Sequence, residues 1–324
     1  MIEPERLFRT SDLPPEAGAH WTIALAGGEG LRLADYVERR FGQRIPKQYC
    51  KLLGRRSMLE HTLDRMNELT PASHTLTVIG PEHRRWASQQ LGNRSDHVFC
   101  QPSSRETGTA LYVALAMLQR WSPDAIVTIT PTDHFVTPAD RYVAELARAR
   151  NLASLNPDKV VLIGARPDEA DPDLGYISLD GHGGVASFVE KPNATRAEEL
   201  VAEGALWNTM VCCGSVQAFW ELGRAGAPQL IDLLENLVPL VDTEDEDAAL
   251  TAVYSMAPIV GFSRDILEKS PDKLLAVALD GVEWNDWGRP ERIEATLQRR
   301  RARAISIPAP PVNDGIVVNF RSAS

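Results

Sequence analysis

The residues best suited to chemistry form a glycine-rich turn with two cations after it. Arg32 follows the turn directly and Lys47 comes further along, while the turn itself reads Leu25-Ala26-Gly27-Gly28-Glu29-Gly30. Three glycines in four positions let the backbone turn sharply and gather several N–H groups, and such a set of amides binds anions, usually phosphate. Arg32 adds a planar fork of donors and Lys47 a mobile point charge. The stretch indicates a phosphate-binding turn, and a tight turn beside two solvated cations is the plainer alternative.

Two commoner phosphate-binding loops do not fit this turn. A P-loop needs Gly-Lys followed by Ser or Thr, and the chain contains no Gly-Lys pair. A dinucleotide fingerprint needs a third small residue where this chain has Leu33, and a leucine there hinders close packing of the following helix. The turn therefore belongs to another class of phosphate site.

Alternating strand and helix patterns must position these residues. Strands are predicted at 21–25, 75–79, 97–100, 125–130 and 159–165, with helices between them. The alternation predicts an α/β fold with a doubly wound, mostly parallel sheet, in which ligands bind at the carboxyl ends of the strands. From residue 175 the pattern changes to short strands at 176–179, 185–190 and 206–213, which we interpret as a second half of the same domain. We expect an N-terminal extension at 1–19, one domain at 20–303, and a tail at 304–324 with a β-like run at 316–320.

Bulk composition excludes several classes of protein. The 324 residues are 44% hydrophobic and 24% charged, as in ordinary globular proteins, and the net charge of −10 argues against non-specific nucleic-acid binding. No apolar run approaches the ~20 residues that span a bilayer, and residues 1–19 lack the apolar core of a signal peptide. The four cysteines are spaced for neither zinc nor a disulfide framework, which favours a reducing cytoplasm. Assembly into a homo-oligomer is left open.

The glycine-rich turn, together with Pro46-Lys47-Gln48-Tyr49, resembles the signature of sugar-1-phosphate nucleotidyltransferases. These enzymes join an NTP to a sugar 1-phosphate and release pyrophosphate, on a Rossmann-like, GT-A-like domain. The closest resemblance is to mannose-1-phosphate guanylyltransferases, whose motifs match in order between residues 25 and 288, with Leu31 in place of the family's Thr. Residues 46–63 also resemble the cytidylyltransferases of isoprenoid synthesis, and that alternative stays open.

The resemblance assigns one group of residues to the nucleotide and its metal. Asp133, after the strand at 125–130, and Asp286, between two tryptophans, take the places of the family's metal-binding aspartates. Mg²⁺, which prefers one or two carboxylates with water and phosphate oxygens, is the expected cofactor. From the sequence alone, either aspartate is equally explained as a turn or helix cap. The catalytic cations would be Arg32 and Lys47, and the nucleotide-binding residues Leu25, Ala26, Gly27, Gly28, Gly30, Gln101, Thr107 and Gly108. Gln101 takes the place of the base-reading residue.

A second group is assigned to the sugar phosphate. It contains Gly175, Tyr176, Glu190, Lys191 and Asn208, with Glu190 on sugar hydroxyls and Lys191 on the phosphate. Two residues after Asn208 the family has glycine, whereas this chain has Met210. Glycine lets the backbone approach a ligand, and methionine fills that space. This departure, with Leu31, keeps a second hypothesis open: a non-catalytic subunit of the same fold that senses nucleotide sugars.

Overall fold

The computed structural model describes residues 19–306 of the protein. Its strands are β1 (His20–Ala26), β2 (Thr75–Ile79), β3 (His97–Cys100), β4 (Ile126–Pro131), β5 (Phe135–Thr137), β6 (Val160–Ala165), β7 (Gly175–Leu179), β8 (Val185–Glu190), β9 (Leu206–Ser215), β10 (Leu274–Leu279) and β11 (Glu283–Asn285). Its α-helices are α1 (Ala34–Phe41), α2 (Met58–Met66), α3 (Arg84–Gln90), α4 (Thr107–Trp121), α5 (Ala139–Leu155), α6 (Ala194–Ala202), α7 (Val216–Gly226), α8 (Pro228–Leu237), α9 (Glu246–Met256) and α10 (Pro290–Ser306).

Nine of the strands form one sheet, whose main path runs β10-β6-β9-β4-β1-β2-β3, with the β7–β8 hairpin attached to β9. All pairs along the main path are parallel except those of β9, which runs antiparallel to both β4 and β6. The predicted α/β fold with a mostly parallel sheet is confirmed. Since β9 lies between β6 and β4, the short-strand half belongs to the same sheet.

Strand β6 shows why the sheet is buried on both faces. Its residues alternate between two core clusters: Val160 and Leu162 pack into one, Val161 and Ile163 into the other. Helices α4, α7, α8 and α9 contribute to the first cluster, and α5 and α6 to the second. A run of residues without any polar side chain is what a strand covered on both faces requires.

Helix α2 begins as its sequence predicts. The Ser57 hydroxyl accepts a hydrogen bond from the Glu60 N–H at 3.1 Å, and the Glu60 carboxylate accepts from the Ser57 N–H at 2.8 Å. This capping box satisfies two amides that the helix itself leaves unpaired.

The sequence did not reveal the small sheet of β5 and β11 or a π-helical turn at Phe262–Leu267. The β-like run at 316–320 lies outside the described residues.

Strand direction brings the motifs together. Strands β1, β2, β3 and β4 are parallel, so their carboxyl ends meet at one edge of the sheet. Because β9 is antiparallel, its first residues lie at that same edge, with Asn208 opposite Gly164 near the end of β6.

Within the described part of the chain, none of the helices combines the length and the apolar character needed to cross a membrane.

Candidate active site

A buried glutamine holds the glycine-rich turn. Gln48 is 3% exposed, and its Nε2 donates to the carbonyl oxygens of Ala26 at 2.7 Å and Gly28 at 2.8 Å. The Tyr49 hydroxyl also donates to the Ala26 carbonyl, at 3.3 Å. These bonds fix the backbone of the turn through its carbonyls. Sequence reasoning gave Gln48 no role, although it lies in the Pro46-Lys47-Gln48 segment that carries the resemblance.

Lys47 is a fixed cation, which corrects the mobile charge expected from the sequence. Only 8% of its side chain is exposed, and its Nζ lies 2.8 Å from Asp133 Oδ2. The same Nζ donates to the backbone carbonyls of Asp286 at 2.5 Å and Trp287 at 3.4 Å. Buried polar groups need such partners. Lys47 therefore links the loop after β4 to the segment after β11.

The charges around Asp133 favour its ionised form. Burial by itself would raise the pKa of Asp133, but the Lys47 ammonium outweighs burial and holds the pKa below its usual value. His134 Nε2 lies 3.6 Å from Asp133 Oδ1, and burial lowers the pKa of His134, which favours the neutral ring. A carboxylate that stays ionised beside a cavity can bind a cation.

Asp286 lies on the other side of Lys47. Its Oδ1 accepts from Arg292 Nη1 at 3.1 Å, and its Oδ2 would lie 2.5 Å from a β-carbon at Gly288. Among the described residues, no group of three or more His, Cys, Asp or Glu side chains could hold a metal ion. Mg²⁺ takes one or two carboxylates and completes its shell with water and phosphate. The Asp286 carboxylate is paired with Arg292, and the metal role of both aspartates stays a prediction.

A cavity of about 690 Å³ opens above the turn, lined among others by Gly30, Arg32, Lys47, Arg105, Asp133 and Gly288. Its volume lies in the range of small-molecule sites. Arg32 is 62% exposed in its side chain and lies 3.9 Å from Asp173, so it is open to a ligand. An adjoining inner cavity of about 280 Å³ shares Asp133 and Arg105 with the first and adds Leu25, Gly27, Gly28, Gln101 and Met210.

Gln101 lies against the turn. It is 4% exposed, its Oε1 accepts from the Tyr254 hydroxyl at 3.2 Å, and its Nε2 would lie 2.3 Å from a β-carbon at Gly27. A side chain at Gly27 would therefore displace Gln101. Thr107 lines both cavities. Gly108 does not line either cavity: its N–H donates to the Val260 carbonyl at 3.0 Å, where helix α4 packs closely.

Four of the five residues predicted for the sugar phosphate lie together: Gly175, Glu190, Lys191 and Asn208. A β-carbon at Gly175 would be 2.6 Å from Glu190 Oε2 and 3.4 Å from the Asn208 β-carbon. Burial raises the pKa of Glu190, and the ammonium of Lys191, 3.6 Å away, opposes that rise. The side chain of Lys191 is 52% exposed. These residues come from β7, β8 and β9, so only the paired strands bring them together.

The structure places Tyr176 elsewhere, which corrects its assignment to the sugar. It is fully buried, and its hydroxyl bonds to the backbone N–H and carbonyl of Asp171. Successive residues of a strand point to opposite faces, so Tyr176 faces away from the side that Gly175 leaves open.

Ser263 is a polar residue of this group that the sequence did not indicate. It lies in the π-helical turn, is 8% exposed, and accepts from Asn208 Nδ2 at 3.4 Å. Hydrogen bonding to Ser263 also lowers the pKa of Glu190 against the larger effect of burial. Short π-helical turns are frequent at functional sites, and no sequence signal marks this one.

Comparison with known families agrees with this geometry. Residues 21–299 match the family model described as Nucleotidyl transferase, and the chain belongs to that family. The resemblance to nucleotidyltransferases is thereby confirmed.

Two curated relatives and one solved structure are similar to most of this chain. The chain is 28% identical over 278 residues to a xanthan biosynthesis protein, XanB, of Xanthomonas campestris, covering 82% of this chain and 57% of the relative. It is 26% identical over 289 residues to a mannose-1-phosphate guanylyltransferase of Escherichia coli, covering 83% of this chain and 58% of that protein. A crystal structure titled as a mannose-1-phosphate geranyltransferase of Thermus thermophilus shares the fold, with a TM-score of 0.72, 24% identity, and coverage of 85% of this chain and 79% of that one. The chain thus spans little more than half the length of these curated relatives.

Proposed function

We propose that this protein transfers a nucleotidyl group from an NTP, GTP by preference, to a sugar 1-phosphate, with mannose 1-phosphate as the preferred acceptor. One observation carries the proposal: the glycine-rich turn, Lys47 and Asp133 line one cavity at the sheet edge where Asn208 lies, with Glu190 close to it. The E. coli relative named a mannose-1-phosphate guanylyltransferase supports this choice of substrates.

The reaction needs positioning and charge more than a side-chain nucleophile. An oxygen of the sugar phosphate attacks the α-phosphorus of the NTP, the bond from that phosphorus to the bridging oxygen of the β-phosphate breaks, and pyrophosphate leaves. Negative charge then grows on the leaving group. Arg32 and Lys47 would neutralise this charge, since Arg32 is exposed to the cavity and Lys47 is fixed beside it.

The expected cofactor is Mg²⁺, which Asp133 and Asp286 would hold. When bound, the ion supplies positive charge to the phosphate oxygens. Lys47 contacts the carboxylate of one aspartate and the carbonyl of the other. It would therefore keep the two aspartates in place whether or not a nucleotide is bound.

Gln101 is the candidate contact to the base. An amide side chain offers both a donor and an acceptor and can pair with several base edges. Its acceptor oxygen is engaged by Tyr254, so its amide nitrogen, beside Gly27, is the group nearest the turn. The preference for GTP rests on the named relatives more than on this residue.

The test is pyrophosphate release over a panel of NTPs with sugar 1-phosphates and one non-sugar phosphate monoester, in the presence of Mg²⁺. We expect turnover with GTP and mannose 1-phosphate to exceed that of the other pairs. Binding without turnover for every pair would contradict the proposal and favour the sensing subunit. Turnover with CTP and a non-sugar phosphate alone would favour the cytidylyltransferase alternative.

A further inference from the structure

A methionine in a left-handed backbone conformation lies where the two halves of the cleft meet. Met210 has φ 58° and follows Asn208 in β9, at the point where the pairing with β6 shifts register. Its N–H donates to Asn208 Oδ1 at 3.0 Å. Residues other than glycine are strained in this region, because the β-carbon crowds the backbone. Such an outlier is a reason to look for a function.

The Met210 side chain packs against the core and also lines the cleft. It lines the inner cavity together with Gly27, Gly28 and Asp133. Its sulfur accepts the hydroxyl of Ser263 at 3.0 Å. Since Ser263 also bonds Asn208, the thioether is connected to the residues predicted for the sugar phosphate.

We infer that Met210 is a specificity-determining residue that restricts the acceptor to hexose 1-phosphates with a small substituent at carbon 2. This inference rests on the proposed function. Carbon 2 is next to the phosphorylated carbon, so its substituent is the one nearest the reacting phosphates. Met210 lines the inner cavity with Asp133 and bonds both Asn208 and Ser263, so a substituent at carbon 2 would have to fit beside its side chain.

The size of the excluded group follows from the size of the side chain. A methionine side chain and an acetamido group have the same number of non-hydrogen atoms. A hydroxyl at carbon 2 fits beside the thioether, whereas an acetamido group needs the volume that the thioether fills. Removing the side chain should therefore admit 2-acetamido sugars without changing the polar contacts made by Glu190 and Asn208.

The experiment compares the wild type with Met210→Gly and Met210→Ala. Calorimetry measures the binding of mannose 1-phosphate and glucose 1-phosphate, each beside its 2-acetamido-2-deoxy analogue. We expect the wild type to bind the acetamido analogues weakly and both variants to bind them about tenfold more tightly or better. Met256→Ala is the matched control, because Met256 is 61% exposed at the end of α9 and lines neither cavity. It should leave the selectivity unchanged.

Thermal unfolding provides a second readout that needs no ligand. Alanine keeps a β-carbon at the left-handed position, whereas glycine removes it, so Met210→Gly should melt at a higher temperature than Met210→Ala. At Met256, the last residue of a helix, alanine should be the more stable replacement.

Each outcome is decisive. Unchanged acetamido binding in both Met210 variants, or equal binding of both sugar types by the wild type, would overturn the inference. A gain in acetamido binding without turnover in any variant would uphold the inference and reject the nucleotidyl-transfer proposal. If none of the sugar phosphates binds to any of the proteins, both are overturned.

Discussion

In the nucleotide half of the cleft, the candidate contacts come from one continuous turn and the buried residues that hold it. Gln48 binds the carbonyls of Ala26 and Gly28, and Gly30 takes the left-handed conformation of the turn with φ 65°. In the sugar half, the candidate contacts are side chains from separate strands and a π-helical turn. There the left-handed positions are Lys191, with φ 49°, and Met210, with φ 58°.

The two halves should therefore differ in how strongly a single substitution changes substrate selectivity. A turn fixed through its carbonyls binds phosphate through backbone groups that every NTP can use. A site made of side chains changes with each substitution, and strain at residues other than glycine persists only where the surroundings enforce it. We expect changes at the turn, Lys47 and Asp133 to affect the rate for all substrates, whereas changes at side chains that meet the base or the sugar phosphate should affect one substrate.

The largest expected effect is at Asp133. Asp133→Asn removes a negative charge from the predicted Mg²⁺ shell and removes the ion-pair partner of Lys47. Turnover should therefore fall by orders of magnitude for every substrate pair, and Asp286→Asn should have the same effect. Pyrophosphate release measures the rate, and thermal unfolding should show an intact fold. Asp124→Asn is the control, since Asp124 is exposed before β4 whereas Asp133 follows that strand. Near-wild-type turnover in Asp133→Asn would remove this residue from the site.

Lys47→Ala should affect both rate and stability. The buried ammonium contacts Asp133 and two carbonyls, so its loss should slow turnover strongly and lower the free energy of unfolding by about 1–3 kcal/mol. Urea unfolding and single-turnover rates separate the two effects. The exposed Lys51, replaced by alanine, should change neither. Lost stability with normal turnover would show that Lys47 only supports the structure.

In the sugar half, Lys191→Ala should affect one substrate. If its ammonium meets the sugar phosphate, a lost charge-assisted hydrogen bond lowers kcat/KM for that substrate about ten- to a hundredfold. Affinity for the NTP, measured by calorimetry with Mg²⁺, should stay nearly unchanged, and Lys269→Ala should behave as the wild type. An equal loss of affinity for both substrates would indicate that Lys191 contacts the triphosphate, and the contrast between the two halves would then not hold.

The smallest effect is expected at Gln101. Gln101→Glu replaces the amide donor beside Gly27 with an acceptor, so the ratio of rates between GTP and the other NTPs should shift by about three- to tenfold, more than the best rate itself changes. Competition assays with mixed NTPs measure this ratio. An unaltered ranking would place the base contact at another residue.

The sequence by itself determined most of the frame. Strands β2, β3 and β8 begin and end where the pattern predicts, and so do helices α1 and α8, because apolar periodicity and capping residues act over a few neighbouring positions. The glycine-rich turn and Asp133 could be placed at one edge, because parallel strands carry their following loops to the same side. Strand alternation alone could also have predicted that Gly175 and Tyr176 face opposite sides of the sheet.

Tertiary structure alone decided how the site is held. The burial of Lys47 depends on carbonyls 239 and 240 residues further along the chain. Ser263 joins the residues predicted for the sugar phosphate through a hydrogen bond from Asn208, 55 residues away. The left-handed conformation of Met210 depends on a shift in strand pairing. Local propensity carries no signal for such contacts, since burial, hydrogen-bond partners and backbone strain are set by groups that meet only when the chain is folded.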